Sequence, residues 1–221
     1  MSHITLIRHG QANSDATTEE DYDRLSDLGH QQARWLGAHL RDMHQHHSRL
    51  YTGTLRRHIE TADGMATGLD AVRDARLNEL EYFTMASALE EEHGISAPVE
   101  QSDFIAHFPV ILQYWQDDKI EGAPERFSHF EARINDVLRE IGQGNGPAFV
   151  VTSGGLIAMT MRSHLRLDVH AMAHVALAIF NSSLHRLYPI GGPENGTWSP
   201  VLFNAIPHLE HPERHYAQTH V

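Results

Sequence analysis

The chain alternates between short unbroken apolar runs and longer stretches of helical period. Ile4-Thr5-Leu6-Ile7 is a β-branched apolar run that breaks into Arg8-His9-Gly10, the pattern of a buried strand ending in a loop. Residues 13–23 are rich in Asp, Glu, Thr and Ser and read as loop. Ser26 then stands where it can cap an amphipathic helix carrying Leu28, Ala33, Leu36 and Leu40. A second strand is predicted over 49–52, and the spacing of Leu55, Ile59, Ala62 and Met65 predicts a helix over 54–66 with Arg57 near its start. A third strand is expected at 71–73, followed by a loop holding Asn78 and Glu79. The stretch from about 84 to 124 is broken by Gly94, Pro98, Pro109, Gly122 and Pro124 around helical and acidic segments, and is read as a helical insertion. Phe127, Phe130, Ile134, Val137 and Leu138 mark a helix over 126–141. The plainest core strand, 147–152, runs into Ser153-Gly154-Gly155 and an apolar helix through Leu156, Met159 and Leu165. Two later strands are expected, one at 175–180 or 184–189 and one at 200–206.

Strands that alternate with helices imply an α/β protein in three layers, α/β/α, with a doubly wound, mostly parallel sheet. At 221 residues the chain suits a single domain over 1–221, with the insertion at about 84–124 lying over the active site. Apolar residues form 41% and charged residues 21%, ordinary for a packed soluble protein.

Lys and Arg total 17 against 29 Asp and Glu, a net charge of -12 that argues against nucleic-acid or membrane-surface partners. An anionic substrate must then be small and met by a local basic pocket. The absence of cysteine removes disulfides, thiolate nucleophiles and Cys-held zinc. No apolar run approaches the roughly 18 residues of a membrane helix, and no leader pattern opens the chain, so a cytoplasmic protein is expected. A homodimer is compatible with the sequence.

In doubly wound sheets, ligands bind outside the carboxyl ends of the strands. Unusual residues stand at four such ends: Arg8-His9-Gly10, Thr52-Gly53-Thr54 leading to Arg57, Asn78-Glu79, and Thr152-Ser153-Gly154-Gly155. Arginine forks match phosphate oxygens and keep their charge, so Arg8 and Arg57 are the phosphate-binding candidates. A neutral imidazole can attack phosphorus, and His9 is placed for that role. A carboxyl group is needed to protonate the leaving oxygen, and Glu79 is the choice.

These segments resemble the histidine phosphatase (phosphoglycerate-mutase-like) superfamily, branch 1. Leu6-Ile7-Arg8-His9-Gly10-Gln11-Ala12 resembles its Arg-His-Gly signature. Tyr51-Thr52-Gly53-Thr54-Leu55-Arg56-Arg57-His58-Ile59-Glu60-Thr61-Ala62 is similar to a second segment, usually Ser-Pro-Leu-x-Arg-Ala-x-Gln-Thr-Ala, which places the family's second phosphate-binding arginine on Arg57. Leu77-Asn78-Glu79 resembles the segment of the proton donor, and Asn181-Ser182-Ser183 and Asn204-Ala205-Ile206-Pro207-His208-Leu209 resemble late segments, so the resemblance spans about 2–208. One departure is serious. A Val-x-His-Gly-Gly segment ordinarily carries a second catalytic histidine, and this chain reads Val151-Thr152-Ser153-Gly154-Gly155. Serine can still donate one hydrogen bond, and loss of a transition-state donor typically slows an enzyme by about 10²- to 10³-fold. Softer departures are His58 for alanine, Glu60 for glutamine and Phe83-Thr84-Met85 in a substrate segment.

The resemblance implies a cofactor-independent phosphomonoesterase working through a phosphohistidine on His9, with Arg8, Arg57, Ser153 and Gly154 around the phosphate of a small phosphorylated substrate. Ser153 stands equally as a phosphate ligand or as a cap on the helix that follows, and Ser153→His is expected to raise turnover if it faces the phosphate. A weak or inactive phospholigand-binding protein is the alternative, and phosphoglycerate-mutase-type transfer ranks lower because the insertion shows no basic cluster for a second anion. The 19 histidines, especially His44, His46 and His47 and the later His208, His211, His215 and His220, invite a metal hypothesis, but without fixed carboxylate or cysteine partners most are read as solvated, with no metal site. Met43, Met65, Met85, Met159, Met161 and Met172 are read as core or gap filling.

Overall fold

A computed structural model describes residues 2–13, 16–44, 46–98, 100–190 and 197–220. Among the described residues the strands are β1 (Ile4–Arg8), β2 (Arg49–Thr52), β3 (Ala71–Arg73), β4 (Ala148–Thr152), β5 (Leu184–Pro189) and β6 (Trp198–Ala205), in the sheet order β3-β2-β4-β1-β5-β6. β1 with β4, β4 with β2, and β2 with β3 pair in parallel, and β5 and β6 close the other edge antiparallel. The sheet is therefore mixed and mostly parallel. The connection from β1 to β2 passes over β4, which leaves a crevice at the carboxyl ends of the central strands.

Both faces of the sheet are covered, as the unbroken apolar strands require. Ile4, Leu6, Ala148 and Val150 join one core with α4 (Tyr82–His93), α5 (Gln101–Gln116), α6 (Phe127–Gln143), α7 (Gly154–Leu165) and α8 (Val169–Ala178). Ile7, Phe149 and Val151 face the other way, against α2 (Asp27–Asp42) and α3 (Arg56–Met65). Ser26 caps α2 as its position predicts, its Oγ accepting from Gly29 N at 3.1 Å. Gly10 and Gly29 lie so close that a Cβ on either would overlap the backbone by the other, which brings the start of α2 against the loop after β1.

One alternative is decided and two expectations are corrected. Of the two sites offered for the fifth strand, 184–189 is the strand and 175–178 belongs to α8, where Asp168 caps Ala171 N at 2.8 Å and Val169, Met172, Ala173 and Ala176 bury one helical face. Within 13–23, of which 14 and 15 lie outside the described residues, Glu19–Tyr22 form a short helix, α1, capped by Thr18. Met43 is not core but 58% exposed at the end of α2.

Most histidines are exposed or only partly buried, as expected, but His9, His47, His58, His107, His185 and His208 are buried. A hydroxyl meets one ring nitrogen in several of them: Thr5 with His47 Nε2 (3.0 Å), Ser182 with His208 Nε2 (2.7 Å) and Ser183 with His185 Nε2 (2.9 Å), while His185 Nδ1 also accepts from Asn204 N (3.2 Å) and the Nδ1 atoms of His47 and His208 are buried without a hydrogen-bond partner. Burial pushes His47, His185 and His208 down to about 3. The unfolded chain takes up protons on these rings near pH 6.5 while the folded chain does not. Stability is thus expected to fall as pH drops from about 6.5 toward 3, by up to about 1.4 kcal/mol per pH unit for each group. Urea unfolding midpoints at pH 7 and pH 5 check this, and an unchanged midpoint would contradict neutral burial.

Candidate active site

His9 follows β1 directly and is 1% exposed. Its amide donates to Thr152 O at 2.9 Å and its carbonyl accepts from Ser182 N at 3.1 Å, so backbone bonds fix the residue from both sides. Its Nδ1 lies 2.7 Å from Gly10 O. A carbonyl only accepts, so in the neutral ring the proton is on Nδ1 and the lone pair is on Nε2. Burial, then the Arg57 and Arg8 guanidiniums, hold the ring well below its ordinary range and keep it uncharged.

The two arginines reach the same place from different strands. Arg8 is buried with one guanidinium nitrogen on the Ile179 carbonyl. Arg57, the second residue of α3, is 2% exposed, donates to Asp23 Oδ1 at 3.0 Å and lies over the Tyr22 ring at 4.9 Å. Asp23 also accepts from the amides of Arg56 (2.9 Å) and Arg57 (3.2 Å), so one carboxylate both caps α3 and orients the side chain. The Nε atoms of Arg8 and Arg57 are buried without a hydrogen-bond partner.

Thr52 and Thr152 end their strands beside the loop that carries Glu79. Thr152 Oγ1 donates to Leu77 O at 2.7 Å, and Asn78 exchanges two bonds with Thr54, its Oδ1 accepting from the amide (2.7 Å) and its Nδ2 donating to Oγ1 (2.8 Å). Glu79 then reaches back across the crevice, its Oε2 accepting from Gly155 N at 3.0 Å and its Oε1 from Leu80 N at 3.0 Å. Gly154 opens α7 beside the Arg8 guanidinium.

Ser153 does not cap α7 with its side chain. Its Oγ instead lies 2.5 Å from His58 Nε2, both residues being fully buried. The His58 ring is 5.7 Å from that of His9, and burial followed by the Arg57 charge holds it well below its ordinary range.

Arg8, Arg57, Glu79 and Gly154 line one cleft of about 1120 Å³, while His9 and Ser153 are buried and are not among its lining residues. Sequence reasoning missed two side chains here. Glu19 on α1 also lines the cleft, accepts from Phe83 N at 2.8 Å, and is raised from its ordinary value by burial. Thr18 followed by Glu19-Glu20-Asp21, a cap and an acidic first turn, was the signal for that helix. His58 was visible only as a departure from alanine. Among the described residues no group of His, Asp and Glu is arranged to hold a metal, and no helix is long and apolar enough to cross a membrane.

The fold and crevice define an α/β protein that gathers two guanidinium groups, an uncharged imidazole and a carboxylate at the carboxyl ends of its parallel strands. The chain belongs to the histidine phosphatase superfamily, branch 1, whose sequence pattern residues 4–205 match. It is 30% identical over 129 residues to the mitochondrial serine/threonine-protein phosphatase PGAM5 of Rattus norvegicus, covering 58% of this chain and 40% of that one. The chain thus spans about 40% of the length of the curated relatives it matches. Among solved structures, a mycobacterial glucosyl-3-phosphoglycerate phosphatase aligns with a TM-score of 0.65 at 24% identity over 93% of this chain and 99% of that one. Phosphoserine phosphatase of Entamoeba histolytica, solved with phosphoserine, aligns at 0.68 and 16% identity over 95% and 100%. These structural likenesses show a shared fold.

Proposed function

We propose that the chain is a phosphomonoesterase that hydrolyses a small phosphorylated substrate through a phosphohistidine on His9. The observation that carries this reading is a neutral imidazole with its lone pair on Nε2, between two buried guanidiniums whose Nε–H groups lack acceptors. Unpaired buried donors are costly, and a bound dianion satisfies them. Arg8 and Arg57 hold the phosphoryl group with the Gly154 amide at the start of α7. His9 Nε2 attacks phosphorus as the bond to the leaving oxygen breaks, and Glu79 gives that oxygen its proton. Water, deprotonated by Glu79, then cleaves the N–P bond and releases inorganic phosphate. No cofactor enters this sequence, and the cytoplasmic location expected from the sequence belongs to the same proposal.

Transfer to a second anionic group is disfavoured by the cleft wall. Beyond Arg8 and Arg57 it carries Glu19, Glu90, Glu100, His220 and the aromatic rings of Tyr22, Tyr82, Phe83 and Phe104, and among the described residues no lysine and no further arginine lines it. The wall suits an apolar or cationic leaving group. The direct test is turnover of p-nitrophenyl phosphate by the purified chain beside His9→Ala, with a chelator expected to change nothing. Absence of activity from both at high protein concentration would favour a phospholigand-binding protein instead.

The Glu79 role has its own signature. Glu79→Gln is expected to lower kcat/KM on an alkyl phosphate by about 10²- to 10⁴-fold, and kcat/KM on p-nitrophenyl phosphate far less, because that ratio reports formation of the phosphohistidine and a nitrophenolate leaves without a proton, while kcat on both falls through the slowed water attack. Should Glu19→Gln show that pattern and Glu79→Gln not, the proton donor is Glu19.

A further inference from the structure

We infer that His58 and Ser153 act as one unit, in which His58 positions the Ser153 hydroxyl so that Ser153 donates its hydrogen bond to the phosphoryl oxygens beside His9. The inference rests on the phosphatase reading above. His58 Nδ1 is buried without a partner, and a buried N–H left unpaired costs more than a ring lone pair left unpaired. The proton is therefore on Nε2, which donates across the 2.5 Å contact to Ser153 Oγ. With its oxygen occupied as acceptor and no bond made to the α7 backbone, the serine hydroxyl has its own proton to give elsewhere. Thr152, the residue before it, accepts the His9 amide, and the His58 ring that meets the hydroxyl lies 5.7 Å from the His9 ring, so the hydroxyl is held in the neighbourhood of the reacting residue.

Three positions at which the chain departs from the resembled family pattern lie together, His58 meeting Gly53 on one side and Ser153 on the other. Gly53 stands where the pattern has serine, His58 where it has alanine, and Ser153 where it has histidine. A Cβ on Gly53 would overlap His58 Nδ1, so the glycine makes the space that the imidazole fills.

Histidine at 153 would enter the volume of the His58 ring, which reverses the expectation that Ser153→His alone raises turnover. The test is a panel assayed on p-nitrophenyl phosphate: His58→Ala, His58→Gln, Ser153→Ala, Ser153→His, and the doubles His58→Ala/Ser153→Ala and His58→Ala/Ser153→His. His58→Ala and Ser153→Ala are each expected to lower kcat by about 100-fold with KM within a few-fold. Their double should be no worse than about the poorer single, because the two residues act as a unit. His58→Gln, which keeps an N–H donor, should recover part of the loss, and His58→Ala/Ser153→His most of it, while Ser153→His alone stays low. Inhibition by orthovanadate, a transition-state mimic, should weaken in His58→Ala more than binding of inorganic phosphate does. A purely structural role would move melting temperature without that kcat and vanadate pattern. If His58→Ala does not fold, Ser153→Ala and His58→Gln decide by the same split. Wild-type kcat in His58→Ala, or in Ser153→Ala, overturns the inference and leaves the phosphatase reading standing. Losses that multiply in the double also overturn it. A wild-type chain no more active than His9→Ala overturns both.

Discussion

His9→Ala is expected to lower kcat on p-nitrophenyl phosphate by at least about 10⁴-fold, because loss of the nucleophile in a unit of this kind removes nearly all chemistry and leaves only binding. Intact-mass measurement after rapid quenching should find a phosphorylated chain in the wild type and none in the variant. The size of the effect follows from the ring's surroundings. Two cations and full burial forbid the imidazolium, so nearly every molecule holds its lone pair ready at neutral pH. The same surroundings predict that kcat does not fall through pH 6.5, where an ordinary histidine would gain its proton. Covalent phosphate found on the His9→Ala chain, or residual turnover within about tenfold of wild type, would move the nucleophile elsewhere.

How much of this was legible in the sequence depended on whether the signal was local. Arg8 and His9 follow the short β-branched apolar run 4–7, the pattern of a buried strand ending in a loop, and β1 is such a strand between β4 and β5, so the place of these two residues at a strand's end could be read from the chain alone. Ser26 before a helical period, and Arg57 early in the next one, were local in the same way. Asp23 was not, because its role as cap and partner of Arg57 joins residues 34 apart through a tertiary contact that no spacing encodes. Which of the histidines are buried was hidden for a related reason. A histidine in a polar stretch suggests solvent, yet a neutral ring can enter a core with one ring nitrogen on a hydroxyl, as His47 does on Thr5 while it stacks on Phe149 at 3.6 Å between centroids. His58 combined both difficulties. Its neighbours Arg56 and Glu60 are an exposed i,i+4 pair, and only the packing of α3 on β4 shows that position 58 turns inward to meet residue 153.

Arg57→Ala is expected to lower kcat/KM by about 10³-fold while Arg56→Ala changes it less than about twofold, although the two arginines are adjacent. Arg56 is largely solvent-exposed and pairs with Glu60 on the outer face of α3, where an ion pair contributes little. Arg57 is 2% exposed, is oriented by Asp23, and carries an unpaired Nε–H beside the reacting ring. The fold should survive the change, since Asp23 keeps its two amide donors at the start of α3 when the guanidinium is gone. Arg57→Lys separates charge from geometry. It keeps one positive charge but loses the fork that holds Asp23 and the phosphoryl oxygens at once, so it should recover only part of the loss, mainly in KM. Equal effects at 56 and 57 would mean that general positive charge, and not a guanidinium fixed between Asp23 and the oxyanion, is what the site requires.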